Sequence, residues 1–91
     1  MAKRERSRHA IKEEVSRRIH QIDEVADDGA HIRVPDPEPH ERDAWGRNWD
    51  MDYFGNARGY EASIRSVVDD VRDEFDLVDD PVTRVPNPFG D

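Results

Sequence analysis

A small α+β domain of αββα order is the fold this sequence predicts, and three observations predict it. Apolar residues recur at steps of three and four over two long stretches. Between them lie two short stretches where apolar and polar residues alternate, and prolines and glycines punctuate the joins. The expected architecture is two amphipathic helices packed on a short antiparallel β-ribbon, with flexible termini. Residues 1–8 are expected as a disordered basic N-terminus, 9–80 as a single domain with a Pro-rich connection at 35–39, and 81–91 as a Pro-rich tail.

Ile11, Val15, Ile19, Ile22 and Ala26 mark the first helix. Ser7 is suited to cap it, although basic residues in its first turn oppose the helix dipole. Asp27-Asp28-Gly29 ends it, with Gly29 fitted to a left-handed closing position. His31-Ile32-Arg33-Val34 alternates and then meets Pro35, as a brief strand would. Pro35-Asp36-Pro37-Glu38-Pro39 lacks three backbone donors and reads as a stiff, extended connection. In Asn48–Tyr53, Trp49, Met51 and Tyr53 share one side, which predicts a half-buried strand whose Trp49 and Tyr53 belong to the core. Residues 55–59 form a turn with Asn56 as the expected cap of the second helix. That helix is read over 60–80, with Tyr60, Ile64, Val67, Val68, Val71, Phe75 and Val78 as its apolar stripe. Val82–Val85 is expected as a further edge strand.

Composition narrows the function. Apolar residues are 34% and charged residues 40% of 91 positions, so the core is small and leaves little room for a catalytic pocket. Without cysteine, disulfides and zinc-thiolate sites are excluded. No stretch approaches a membrane span and no apolar run follows the charged N-terminus, so a cytoplasmic protein is expected. The net charge of −8 is uneven: residues 1–18 hold seven Lys/Arg against three Glu, and residues 19–91 hold seven Arg against nineteen Asp/Glu. An acidic body repels nucleic acid, so direct nucleic-acid binding is not expected.

The candidate binding residues follow the second helix. Asp69, Asp70, Asp73, Glu74, Asp76, Asp79 and Asp80 are crowded along it, with Arg72 alone between them. Carboxylates three and four residues apart are neighbours on a helix and repel, so such a row points to a basic partner surface and resembles the charge spacing of a nucleic-acid strand. Trp45 lies on neither apolar pattern and is the candidate aromatic anchor, with Phe54 beside it in the aromatic cluster. Asp50-x-Asp52-x-Phe54-Gly55-x5-Glu61 has the spacing of a calcium-binding loop, with Asp50, Asp52 and Glu61 as ligands, but Phe54 occupies a ligand position. The four histidines are far apart, and no nucleophile motif or phosphate-cradling glycine loop is present. No catalytic residue and no cofactor is expected.

Gly46-Arg47-Asn48-Trp49-Asp50-Met51, with Tyr60 and the helix end Val71–Leu77, resembles segments of small proteins encoded by bacterial phages and integrated elements. The resemblance covers residues 46–77, transfers no site residues, and implies a phage-type setting in which small acidic inhibitors of host defence, anti-CRISPR proteins among them, are frequent. With anti-CRISPR proteins the likeness is one of size and charge. The expected function is therefore a non-catalytic acidic protein-binding module, an inhibitor presenting its carboxylate-rich helix to a basic protein. Two alternatives stand beside it: a homodimer pairing basic first helix with acidic second helix, and the calcium loop.

Overall fold

The structure, a computed structural model, describes residues 3–78. It is a mixed α+β fold whose elements run β1 (Arg4–Ser7), α1 (Arg8–Ile19), α2 (Asp23–Asp28), β2 (Glu38–Pro39), β3 (Trp49–Asp50), α3 (Glu61–Glu74) and β4 (Phe75–Val78). This order differs from the expected αββα. Two small sheets replace the single ribbon: β1 pairs with β4 in parallel, and β2 pairs with β3 antiparallel.

Helix α1 forms where the spacing predicts it. Ser7 is its cap, its hydroxyl accepting a hydrogen bond from the Ala10 amide at 3.2 Å. Ile11, Val15 and Ile19 are fully buried against α3. The helix then breaks at residues 20–22, and Ile22 is extended with ψ 130°. The break shifts the apolar register, so Val25 enters the core and Ala26 faces solvent. Gly29 closes α2 in the left-handed conformation, φ 63°, and its amide bonds the Ala26 carbonyl.

Helix α3 stops at Glu74, not at residue 80, because the chain there turns extended to pair with β1. The partners are Arg4 with Phe75, Glu5 with Asp76, Arg6 with Leu77 and Ser7 with Val78. The expected helical stripe thus splits: Ile64, Val68 and Val71 are buried on α3, whereas Leu77 enters the core from a strand. Residues 4–7, expected within a disordered N-terminus, are β1. The expected strand at 31–34 shrinks to one bridge, Arg33 to Gly55, with Ile32 buried. The ladder partner of β3 is instead Glu38–Pro39, inside the Pro-rich connection, and Pro39 is tolerated because β2 is an edge. The period-two reading holds for Trp49 and Met51, both buried, and fails at Tyr53, which is 92% exposed. Tyr53 has φ 67°, and that left-handed backbone swings its ring away from the core. Asn56 does not cap α3; Tyr60 precedes it, and the Asn56 amide donates to the His31 carbonyl. The expected strand at 82–85 lies outside the described residues. Among those described, no helix is long and apolar enough to cross a membrane.

Candidate interaction surface

The carboxylates of α3 do not form a free row. Six cations reach them and the neighbouring Asp76. Arg47 Nε donates to Asp73 at 2.9 Å and its guanidinium lies 3.9 Å from Asp69. Arg18 of α1 holds Glu74 with two parallel bonds of 2.8 and 2.9 Å. Asp76, on β4, accepts two bonds from Arg42, at 3.0 and 3.3 Å, and has Lys3 at 3.8 Å. Asp69 takes Arg72 at 3.2 Å and Arg65 at 3.4 Å. Asp70 is exposed, with no cation in ion-pair range among the described residues. Asp79 and Asp80 lie outside those residues.

These contacts set the charge states. The Arg47 hydrogen bond holds the Asp73 carboxyl below its ordinary value, and the Arg18 fork does the same for Glu74. Burial pushes Asp50 up, but the Arg65 hydrogen bond, the Met51 amide and the Arg72 charge outweigh it and lower it. For Asp43 the Arg47 amide is the main lowering influence, opposed by burial and aided by the Trp45 amide and Arg72.

Arg72 is the centre of the arrangement. It is the buried charged side chain among the described residues, at 8% exposure. Its Nε donates to the Trp49 carbonyl at 2.8 Å, and its two terminal nitrogens reach Asp69 and, at 3.4 Å, Asp43. The segment 40–54 has almost no regular structure, and these bonds, with those of Arg47 to Asp73 and of Arg65 to residues 50–52, lay it against α3.

Arg65 accounts for the calcium-like spacing. Asp50 and Asp52 do converge on a cation, but it is the Arg65 guanidinium, 3.0 Å from each, which also donates to the Met51 carbonyl. Glu61 turns elsewhere and accepts from the Gly59 amide at 2.9 Å. Among the described residues, no three histidine or carboxylate side chains converge as metal ligands.

Trp45 is 74% exposed on a turn held from several sides. Asp43 Oδ1 accepts from the Trp45 and Arg47 amides at 2.9 and 3.0 Å, and the Gly46 amide closes back on the Asp43 carbonyl. Gly46 has φ 78°, a conformation that suits glycine. Its carbonyl accepts from both Lys3 and Arg42. The Trp45 ring is therefore flanked in sequence by Arg42 and Arg47, which grip Asp76 and Asp73. Phe54, the other candidate anchor, is half-buried against the core. The sequence marks Trp45, the acidic row and Arg72, but not Arg18, Arg42 and Arg47, because they lie 26 to 56 residues from the carboxylates they bind.

The β4 edge opposite β1 is closed by side chains. Asn48 donates to the Leu77 carbonyl and accepts from the Leu77 amide, both at 3.0 Å, and the Trp49 indole donates to the Phe75 carbonyl. No family model, curated protein or solved structure matches this chain.

Proposed function

We propose that this protein is a non-catalytic binding module that engages a protein partner through Trp45. The carboxylates Asp69, Asp70, Asp73 and Glu74 of α3, with Asp76 of β4, form the charged rim. The observation that carries this reading is a tryptophan 74% exposed on a turn pinned at both ends. Burying such a ring on association yields about 3 kcal/mol at the usual value per unit apolar area. A held turn loses little further freedom on binding, which favours an anchor role. Asp73 and Glu74 keep side-chain exposures of 58% and 50% despite their partners, so they can share a second cation from a basic surface. In the phage-type setting implied by the resemblance, the partner is a basic host protein of the cytoplasm and the module its inhibitor. The paired carboxylates favour a rim over a free phosphate-like row, so nucleic-acid mimicry is the weaker form of the proposal. The homodimer alternative loses much of its motive, since Arg18 and Glu74 already meet within one chain.

The test compares capture from a host lysate by the wild-type protein, Trp45→Ala and Asp70→Lys, with melting curves to establish that all three are folded. Trp45→Ala is expected to lose the captured partner and Asp70→Lys to weaken it at least threefold. Identical capture by all three refutes the reading. Light scattering of the free protein over a concentration series checks the dimer: a mass that stays monomeric argues against it.

A further inference from the structure

His20, the residue that closes α1, bridges two backbone groups. Its Nδ1 lies 2.7 Å from the Ser16 carbonyl, and its Nε2 accepts from the Ile32 amide at 3.1 Å. Neither partner can change role: a carbonyl only accepts and an amide only donates. The ring therefore carries its proton on Nδ1, donates it to Ser16 and offers Nε2 as a lone pair. Only neutral imidazole can do this, because the charged ring donates from both nitrogens. The Nε2 bond ties the end of α1 to a segment twelve residues further on. In that segment Ile32 is buried, and Arg33 exchanges both backbone groups with Gly55 at 2.9 and 3.0 Å. Beside the bond the segment stands off the helix. A cavity of about 460 Å³ separates them, lined by Lys12, Glu13 and Ser16 on α1 and by Ile32, Arg33 and Val34 opposite.

We infer that His20 is a pH-sensitive latch: protonation keeps its bond to the Ser16 carbonyl, breaks its bond to the Ile32 amide and releases residues 30–34 from α1. The added proton sits on Nε2 and faces the Ile32 N–H, so two donors meet. The other end of the ring gains instead. The Ser16 carbonyl accepts more strongly from a cation, and the carbonyl end of a helix favours positive charge. The charged ring therefore stays on α1 and the Ile32 side gives way. The surroundings act in the same direction. Among the described residues no carboxylate is in ion-pair range of His20 or His31; Glu13 is 3.2 Å from His9, and Asp36 is 3.3 Å from Lys12. Asp23 and Glu24, in the first turn of α2, are exposed. Ser16 Oγ lies 3.5 Å from Nδ1, and the His31 ring is tilted against His20 with centroids 5.6 Å apart, so a charge on both rings adds repulsion. Lys12 and Arg33, on the cavity, are also cations. Histidine changes charge between about pH 5 and 8, which places the release in mildly acid solution. This device is independent of Trp45 and its rim.

The experiment is NMR of the full chain at about pH 7.5 and about pH 5.5, on either side of the usual histidine transition. Long-range nitrogen–proton spectra are expected to show the His20 proton on Nδ1 at the higher pH and on both nitrogens at the lower. Over the same interval the Ile32 amide, corrected for its intrinsic exchange rate, is expected to lose about fivefold in hydrogen-exchange protection. The Val68 amide, in the buried middle of α3, is expected to keep its protection. His20→Gln presents a carbonyl oxygen that does not titrate, and in this variant Ile32 protection is expected to be the same at both pH values. A ring protonated on Nε2 at the higher pH, a ring that stays neutral at the lower, or a ring that titrates while Ile32 is unmoved overturns the inference. So do equal losses at Ile32 and Val68, which mean global opening. A response that survives His20→Gln and disappears in His31→Gln overturns it as well, because the titrating ring is then the wrong one. The wild-type ring and amide measurements decide the matter by themselves if His20→Gln does not fold.

Discussion

Replacing Arg72 by Met keeps the buried aliphatic stem and deletes the guanidinium. The Trp49 carbonyl, in a residue with no exposed surface, then loses the donor at 2.8 Å. A hydrogen bond from a charged donor contributes about 1.5–3 kcal/mol. Asp69 also loses a partner, but its side chain is 37% exposed and retains Arg65, so water and that second arginine replace most of the loss. Relief of burying a guanidinium works the other way. The net expectation is a destabilisation of about 2 kcal/mol, or a fall in melting temperature of about 8–16 °C for a domain of this size. Urea unfolding followed by tryptophan fluorescence measures it, with an unchanged slope on denaturant showing that the native state is still compact. Arg65→Met is the control: that side chain is 39% exposed, and it should cost about 1 kcal/mol or less. If Arg72→Met is as stable as the wild type, or Arg65→Met costs more, the view of Arg72 as the pin of segment 40–54 fails.

Acid should weaken the fold. Glu14, Asp50, Asp73 and Glu74 all have folded pKa values below the ordinary carboxylate range, so at mildly acid pH the unfolded chain binds more protons than the folded one. The stability they contribute is complete above about pH 5.5 and is lost as the pH falls through about 4 and below; a flat stability profile between pH 6 and 3 contradicts this. Tyr53→Asn should stabilise by about 0.5–1 kcal/mol, because asparagine tolerates φ 67° and an almost fully exposed ring gives up no packing. A lower melting temperature for Tyr53→Asn rules that account out.

Local pattern made the helices legible. Ile11, Val15 and Ile19, and then Ile64, Val68 and Val71, are buried as their spacing predicts, and Ser7 and Gly29 close α1 and α2 as their chemistry suggests. What was illegible is what depends on distant partners. Arg4-Glu5-Arg6-Ser7 carries no strand pattern, and it is a strand only because the chain brings Phe75–Val78 alongside it. The same pairing ends α3 six residues before the expected limit, although Phe75 and Val78 continue the helical spacing. Trp49, Met51 and Tyr53 alternate in sequence, yet one left-handed residue puts the third outside. For the acidic row, counting neighbours in sequence leaves only Arg72 to offset it, whereas the fold also brings Arg18, Arg42, Arg47, Arg65 and Lys3.

Those arginines change what salt can reveal about binding. Arg42 and Arg47 hold the Trp45 turn through Asp76 and Asp73, and Lys3 adds a bond to the Gly46 carbonyl. Each ion pair has one partner more than half exposed, Arg42 at 52% and Asp73 at 58%, so added salt partly screens them, over a Debye length of about 8 Å at physiological strength. Binding through Trp45 would then weaken with salt even if the partner carried no charge, because the turn that presents the ring loosens. Asp70 separates the two causes. It is exposed and supports no pair in the turn, so Asp70→Lys leaves the presentation of Trp45 intact while reversing one rim charge. A basic partner predicts weaker capture by Asp70→Lys at every salt concentration below about 0.3 M, with the difference vanishing above it as screening becomes complete. If Asp70→Lys binds as tightly as the wild type while salt still weakens both, the carboxylates serve only to hold the turn, and recognition belongs to Trp45.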